Sequence, residues 1–324
     1  MNSNLNKTGA AASDTLYCKV DVAHERPRDQ MKILRAAHLG MCFGVRDAIG
    51  LALAESKVRP VTILGDLVHN ETVLQQLRSQ GVKIEHQVAN VSTPDVMITA
   101  HGASQRALHQ LEVRGLRVME ATCPLVHHAH RVVQNFVANG FHPVIIGKRD
   151  HVEVRGLTED LAEFDVILTD EEVAALRERP RFGVAAQTTQ PIDRVRRLVT
   201  LLQERFPNSK VRFQDTVCQP TKQRQEAAVA LAQQCDVVIV VGGAHSNNTR
   251  ELVATCGRYR DRVHHVEGAA ELRSHWFRSS DRAVGVTAGT STPDSVIEEV
   301  EAWLKDFAEF QEQLQQHVTS EVRE

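Results

Sequence analysis

Short apolar runs alternate along this chain with longer segments of helical periodicity. Runs of four or five apolar or β-branched residues, such as 61–64 and 237–241, have the length of buried strands. In residues 71–79 and 192–205 apolar side chains recur every three to four positions, which is typical of amphipathic helices. Strands and helices that alternate in this way predict an α/β fold with parallel sheets and right-handed crossovers.

The same order of elements occurs three times. Each unit contains a cysteine where a short strand gives way to a helix, and these cysteines, 81 and 95 residues apart, are Cys42, Cys123 and Cys218. A first polar loop follows 27 to 30 residues after each cysteine, and a second follows after 59 to 73 residues. We therefore expect three small α/β domains, at residues 31–122, 123–216 and 217–303. A two-domain or single-sheet α/β fold is the alternative.

The two ends of the chain differ from these units. Residues 1–30 are polar, without the apolar core of a secretory signal, and predict a loosely packed extension in which Cys18 has no role. Residues 304–324 have a charged helical pattern and predict a C-terminal tail. These features favour a cytoplasmic protein, in which cysteines stay reduced.

Composition excludes several classes of partner. The 324 residues carry a net charge of −3, and only 4% are aromatic. Such a balance gives no reason to expect nucleic acid or a membrane surface as a partner. No apolar run approaches the length of a membrane span.

Three cysteines at equivalent turns indicate a site built from three thiolates. Such soft ligands select zinc or an iron–sulfur cluster. A structural zinc site usually has four ligands, often in CxxC pairs, and this sequence has no such pair. A cubane cluster held by three cysteines leaves one iron open to substrate. Cys235 and Cys256 lie in apolar patterns and are expected in the core.

The polar loops offer hydrogen-bond donors at predicted strand ends. In parallel sheets such ends face one edge, and donors near helix N-termini are suited to phosphate or diphosphate. Neither GxxxxGK[ST] nor GxGxxG occurs, so a nucleotide is not indicated. The candidate residues are His69, His101, His151, Thr188, Ser246, Asn247, Asn248, Thr290 and Ser291.

Glu153 is the carboxylate of the loop that contains His151. A carboxyl group beside a desolvated cluster and a polyanion would have a raised pKa, as a proton donor at neutral pH requires. A solvated surface glutamate is the alternative interpretation.

These residues together resemble the 4-hydroxy-3-methylbut-2-enyl diphosphate reductase family of the non-mevalonate isoprenoid pathway. The similarity extends over about residues 31–300. It rests on GMCFGV at 40–45, VHN at 68–70, AHG at 100–102, ATCPLV at 121–126, HVEVRG at 151–156, QTT at 187–189, Cys218 with RQ at 224–225, and VTAGTS at 286–291.

The resemblance implies a pseudo-threefold cloverleaf of three α/β domains around a central [4Fe–4S] cluster. It assigns the cluster to Cys42, Cys123 and Cys218, and the proton relay to Glu153, with Thr188 near the substrate hydroxyl. It also implies reduction of an allylic diphosphate to isopentenyl and dimethylallyl diphosphate, with ferredoxin or flavodoxin as electron donor. Diphosphate contacts would come from His69, His101, His151, Ser246, Asn247, Asn248 and Ser291.

Three positions depart from the family pattern. Residues 245–249 read HSNNT where the family usually has NSSNT, so His245 replaces an asparagine and Asn247 a serine, and Lys148 replaces a histidine. Two other functions stay open: a non-catalytic iron–sulfur sensor of redox state or iron, and a zinc-dependent diphosphate hydrolase.

Overall fold

The computed structural model describes residues 31–321, with side chains for residues 31–314. The expected extension at residues 1–30, with Cys18, and the final residues 322–324 lie outside the described residues.

The described residues form twelve strands and ten α-helices, which alternate except that only 3₁₀ turns separate the third strand from the fourth and the eleventh from the twelfth. The strands are β1 (Lys32–Arg35), β2 (Val61–Leu64), β3 (Lys83–Glu85), β4 (Asp95–Ile98), β5 (Arg117–Glu120), β6 (His142–Ile146), β7 (Asp165–Ile167), β8 (Arg181–Ala186), β9 (Lys210–Phe213), β10 (Val237–Val241), β11 (Val263–Val266) and β12 (Ala283–Ala288). The helices are α1 (Phe43–Ser56), α2 (Glu71–Ser79), α3 (Gln105–Val113), α4 (Pro124–Ala138), α5 (Val152–Thr158), α6 (Asp170–Ala175), α7 (Ile192–Arg205), α8 (Gln219–Gln234), α9 (Asn247–Gly257) and α10 (Asp294–Glu321).

Three parallel four-stranded sheets share one strand order. The first is β3-β2-β4-β5, the second β7-β6-β8-β9 and the third β11-β10-β12-β1. Every strand pair is parallel, so the carboxyl ends of the strands in each sheet lie along one edge. The predicted α/β fold with three small parallel sheets is confirmed.

The first strand does not belong to the domain in which the sequence pattern placed it. β1 pairs with β12, with Lys32 opposite Ala283, and so completes the third sheet although it begins the described chain. Residues 31–122 are therefore not one self-contained unit. An apolar run identifies a strand but not the partner that covers its edge, so the pattern alone could not assign β1.

The C-terminal boundary also differs. α10 is continuous from Asp294 to Glu321, and Leu304 and Ala308 are buried. A boundary at residue 303 would cut this helix where its apolar face still covers the third sheet. The other domain boundaries stay predictions.

Helices pack on both faces of each sheet, so its polar loops lie at the ends of the strands. Ile63, Ile145 and Ile239 in the central strands have no exposed surface. Cys235 and Cys256 are buried in the core of the third domain, as expected. Among residues 31–321, no helix combines the length and apolarity needed to cross a membrane.

Candidate active site

The three cysteines occupy equivalent positions. Each follows the edge strand of its sheet (β1, β5 or β9) and is the N-cap residue of the next helix (α1, α4 or α8). Their amides anchor them to the second polar loop of the same sheet through Cys42 N to Thr290 O (3.2 Å), Cys123 N to Ala100 O (3.1 Å) and Cys218 N to Thr188 O (3.0 Å). The repeat predicted from sequence is thus a repeat of backbone geometry.

The thiols are free for a ligand. None of the three side chains caps its own helix, and none forms a disulfide. Burial raises the pKa of Cys123, and raises that of Cys218 to about 11, although Thr221 Oγ1 lies 3.0 Å from the Cys218 sulfur. An added Cβ at Gly44 would lie 2.6 Å from Cys123 Sγ, so this glycine makes room for the sulfur.

The spacing of the thiols bears on which metal group they fit. Two sulfurs on one zinc ion lie at most about 4.6 Å apart, because each Zn–S bond is about 2.3 Å. Within residues 31–321, the three thiols are not among the groups whose ligand atoms all lie within 4.8 Å of one another. At least one pair of these sulfurs is therefore farther apart than a single zinc ion spans, and soft thiolates with this spacing fit an iron–sulfur cluster better.

The imidazoles of His69, His101 and His151, the histidine trio, pack together at the first sheet and the start of α5. His69 stacks on His101 with ring centroids 4.6 Å apart, and His151 meets both rings edge-on at 5.3 and 5.4 Å. Burial, and to a lesser extent the charges of neighbouring histidines, lower the pKa of all three, to about 3 for His151. The rings are therefore neutral near pH 7.

One hydrogen bond decides whether the histidine trio is suited to a metal ion or to an anion. Its ring nitrogens lie within 4.8 Å of one another, close enough to suggest a metal ion. However, His151 Nδ1 accepts a hydrogen bond from the Glu153 amide at 3.1 Å. A neutral His151 therefore carries its proton on Nε2 and donates through that atom. A donor suits an anion and is unsuited to binding a cation.

The third domain adds polar groups to the same place. Asn248 accepts from the Thr290 amide at 3.0 Å, and Ser291 donates to the His69 carbonyl at 3.4 Å. Ser246 is the N-cap of α9. Asn248 Nδ2 and His101 Nε2 are buried and have no hydrogen-bond partner among the described residues. Buried polar atoms without partners are costly, so these two are expected to contact a ligand.

These groups enclose a narrow cavity of about 30 Å³. In this conformation it has room for water molecules but not for a diphosphate, so the lining side chains have to be displaced when such a ligand binds. Its lining residues are Val45, Val68, His69, His101, His151, Thr189, Ser246, Asn247, Asn248, Thr290 and Ser291. All seven residues expected to contact diphosphate are among them. Lys148 and Arg250 are exposed, and their charges act on His69 and His151.

The Asn247 side chain has a different partner. Its Nδ2 donates to Thr189 Oγ1 at 3.2 Å, which joins the third domain to the second. One helical turn later, Arg194 and Glu251 form a second link between these domains at 2.6 Å. Asn247 thus spans the domain interface where the family's serine is shorter.

Glu153 lies at the start of α5 and is almost fully buried. Burial raises its pKa to about 7, although two hydrogen bonds from Thr188 act in the opposite direction. The Thr188 amide donates to Oε1 at 2.6 Å, and its hydroxyl lies 3.0 Å from Oε2. The negative charge of Glu153 acts on Cys123 and Cys218. A buried carboxyl group with a raised pKa thus lies close enough to Cys123 and Cys218 for its charge to act on them, and the surface alternative is excluded.

Sequence reasoning missed two polar residues of the site. Gln187 is fully buried, accepts from the Lys148 amide at 3.1 Å and donates to Thr189 at 3.1 Å. Arg224 is buried and donates to the Gly40 carbonyl. Both belong to the motifs that carry the family resemblance, but their residue types gave no signal of burial.

The chain is similar to known proteins over most of its length. Residues 33–305 match the family described as LytB protein. The 4-hydroxy-3-methylbut-2-enyl diphosphate reductase of Trichlorobacter lovleyi is 37% identical, over 83% of this chain and 96% of its own length. The protein of the same name from Geobacter sulfurreducens is 36% identical, over 86% and 98%.

Solved structures resemble this fold. The E-1-hydroxy-2-methyl-but-2-enyl-4-diphosphate reductase from Plasmodium falciparum has a TM-score of 0.79 at 24% identity, over 85% of this chain and 87% of that one. A structure of (E)-4-hydroxy-3-methyl-but-2-enyl diphosphate reductase, the terminal enzyme of the non-mevalonate pathway, has a TM-score of 0.62 at 33% identity, over 85% and 100%. By fold, site geometry and sequence, this chain belongs to the LytB protein family.

Proposed function

We propose that this chain catalyses reductive dehydroxylation of (E)-4-hydroxy-3-methylbut-2-enyl diphosphate to isopentenyl and dimethylallyl diphosphate. The names of its relatives support this reaction. Two electrons and two protons are consumed. The allylic C–O bond breaks, the oxygen leaves as water, and a C–H bond forms at either end of the allyl system.

The observation that carries the proposal is the position of Glu153. Its carboxyl group, with a pKa near 7, lies two residues from a histidine of the anion site and acts electrostatically on two of the three cysteines. A reductase that expels water needs such a proton donor between the substrate's anion and its electron source.

Cys42, Cys123 and Cys218 fit a [4Fe–4S] cluster, which we propose they hold. When bound, this group supplies electrons singly and offers one iron without a protein ligand as a Lewis acid for the substrate hydroxyl. The hydrogen bonds of the three cysteine amides fix where the cysteines lie.

The histidine trio and the third-domain loop would bind the diphosphate. His151 Nε2 is a donor, and the unpartnered His101 Nε2 and Asn248 Nδ2 gain acceptors when phosphate oxygens enter. Ser246 and Ser291 have hydroxyl groups at the same cavity. Donors from all three domains orient the substrate, so its allylic end points in one direction. Asn247 can contact phosphate only after its bond to Thr189 breaks.

Glu153 would deliver protons, with Thr188 as its partner. The two Thr188 hydrogen bonds hold both carboxyl oxygens in place. Protonated Glu153 can give its proton to the departing hydroxyl and be reprotonated near pH 7. The Thr188 hydroxyl lies beside this carboxyl group and can hydrogen-bond the substrate hydroxyl.

Ferredoxin or flavodoxin is the proposed electron donor, on the family resemblance alone, and a cytoplasmic location stays a prediction. A redox or iron sensor would need the cysteines but no buried proton donor beside an anion site. The geometry of Glu153 therefore favours the enzyme.

An anaerobic turnover assay tests the proposal. Protein reconstituted with iron and sulfide is mixed with the allylic diphosphate and a chemical reductant, and products are measured by chromatography. We expect both prenyl diphosphates in the complete mixture and neither without iron. A brown protein that leaves the substrate unchanged would support the sensor, and a colourless one that releases phosphate would support the hydrolase.

A further inference from the structure

Arg224 connects two of the three cysteine segments. It lies on α8, six residues after Cys218, and is 8% exposed. Its guanidinium Nε and Nη2 both donate to the Gly40 carbonyl, at 3.0 and 2.7 Å, and Nη1 donates to the Pro220 carbonyl at 3.0 Å. Gly40 is two residues before Cys42, so a single side chain fastens the Cys42 turn to the helix that Cys218 begins.

The backbone conformation at Gly40 makes this contact with Arg224 possible. Gly40 has φ +70°, a conformation that other residues rarely adopt, and an added Cβ would lie 2.9 Å from Ile297 Cδ1. Its amide donates to the Ala288 carbonyl at 3.2 Å. With the amide held on the third sheet, its carbonyl oxygen is directed at Arg224.

The positive charge of Arg224 is not neutralised by these contacts. Its acceptors within residues 31–314 are carbonyl oxygens. Carbonyl dipoles solvate a guanidinium but leave its net charge, and Arg stays protonated even when buried. Among ionisable groups, Cys42 and Cys218 in their negatively charged forms most favour the charged state of the Arg224 guanidinium. Charges interact more strongly at a buried site than in water.

We propose that Arg224 is a positioning residue that holds the Cys42 and Cys218 segments in register and makes the iron–sulfur centre easier to reduce. This inference rests on the proposed function. Adding an electron to a centre with three thiolates increases its negative charge, which a fixed buried cation stabilises. Net charge and hydrogen bonding are among the factors that set the potential of such centres.

The test is a redox titration of the reconstituted protein under anaerobic conditions, followed by electron paramagnetic resonance. In Arg224→Gln the equilibrium constant for one-electron reduction is expected to fall at least tenfold, about 59 mV for one electron. Arg224→Lys keeps the charge and should stay within threefold of the parent. Arg46→Gln is the matched control, because Arg46 is 55% exposed and paired with Asp294, and it should also stay within threefold.

The outcomes separate this inference from the proposed function. A parent protein that binds no iron contradicts the proposed function itself. With iron bound to the parent, an unshifted Arg224→Gln, or an equal shift in Arg46→Gln, overturns the role of Arg224. If Arg224→Gln takes up no iron, the test rests on Arg224→Lys. A tenfold fall in the equilibrium constant for reduction of this variant, which keeps the positive charge, would also overturn the role of Arg224.

Discussion

Replacing Glu153 by Gln tests the proton donor through stability as well as turnover. Gln has the shape of a protonated glutamic acid, can accept from the Thr188 amide and can donate to its hydroxyl. Because burial raises the pKa of Glu153 from 4.5 to about 7, the folded protein keeps a proton that the unfolded chain loses. The contribution of protonated Glu153 to the free energy of unfolding is therefore fully present below pH 4.5 and is lost as the pH rises through 7.

The size of this effect follows from the shift in pKa. One pKa unit corresponds to about 1.4 kcal/mol, so the buried carboxyl group costs about 2–3 kcal/mol more at pH 8 than at pH 5. Gln does not ionise and avoids this cost. The melting temperature of Glu153→Gln minus that of the parent should therefore be roughly 5–10 °C greater at pH 8 than at pH 5, since each kcal/mol corresponds to a few degrees.

The assay is differential scanning calorimetry of both proteins at pH 5 and pH 8, paired with anaerobic turnover. The variant should retain iron and its visible spectrum but lose turnover by about 10²-fold or more, the usual contribution of a general acid. Equal pH dependence of stability in both proteins would refute the raised pKa. Near-parental turnover would remove Glu153 from the reaction.

Three further predictions address the other parts of the site. Gly44→Ala should lower the iron bound per chain, because its Cβ would lie 2.6 Å from the sulfur of Cys123, whereas Gly50→Ala in the same helix, with nothing within 4 Å, should not. His101→Ala should weaken binding of inorganic diphosphate roughly 10- to 100-fold by calorimetry, the value of a hydrogen bond to a charged group; unchanged affinity would place the anion elsewhere. Asn247→Ser removes the bond to Thr189 and should speed diphosphate association in stopped-flow measurements without changing iron content, and an unaltered rate would show that this link does not limit opening.

Much of the fold could be predicted because the sheets are buried on both faces. A parallel strand with two buried faces reads as an apolar run, and the runs at Val61–Leu64 and His142–Ile146 coincide with strands of the structure. Edge strands are half-exposed and carry a weaker pattern. The bounds of β9 could not be predicted for this reason, because lysine and arginine alternate in it with half-buried residues.

Two short helices of the second unit could not be predicted either. α5 has seven residues and α6 six, too few for helical periodicity to appear in the sequence. α5 matters for the site, because it places Glu153 two positions beyond the N-cap His151. Its start could not be read from the sequence, since the capping atom is a histidine nitrogen rather than a serine or aspartate oxygen.

The candidate site could be predicted as a set of residues but not as an arrangement. Equal spacing between the cysteines and polar loops indicated that they share strand ends. Which loop faces which depends on packing between domains, for example the contact of Ser291 with the His69 carbonyl across 222 positions. The burial of Arg224 likewise depends on the carbonyl of Gly40, 184 positions away.

Mössbauer spectroscopy of the reconstituted protein, before and after addition of the allylic diphosphate, tests the assembled site most directly. Three cysteines around one centre, beside an anion site, predict a four-iron signal in which one iron differs from the other three and alone changes when substrate binds. A single iron or zinc ion per chain would contradict the three-cysteine site. A signal from four equivalent irons that does not change when the diphosphate is added would contradict the conclusion that the cysteines, Glu153 and the histidines form one site.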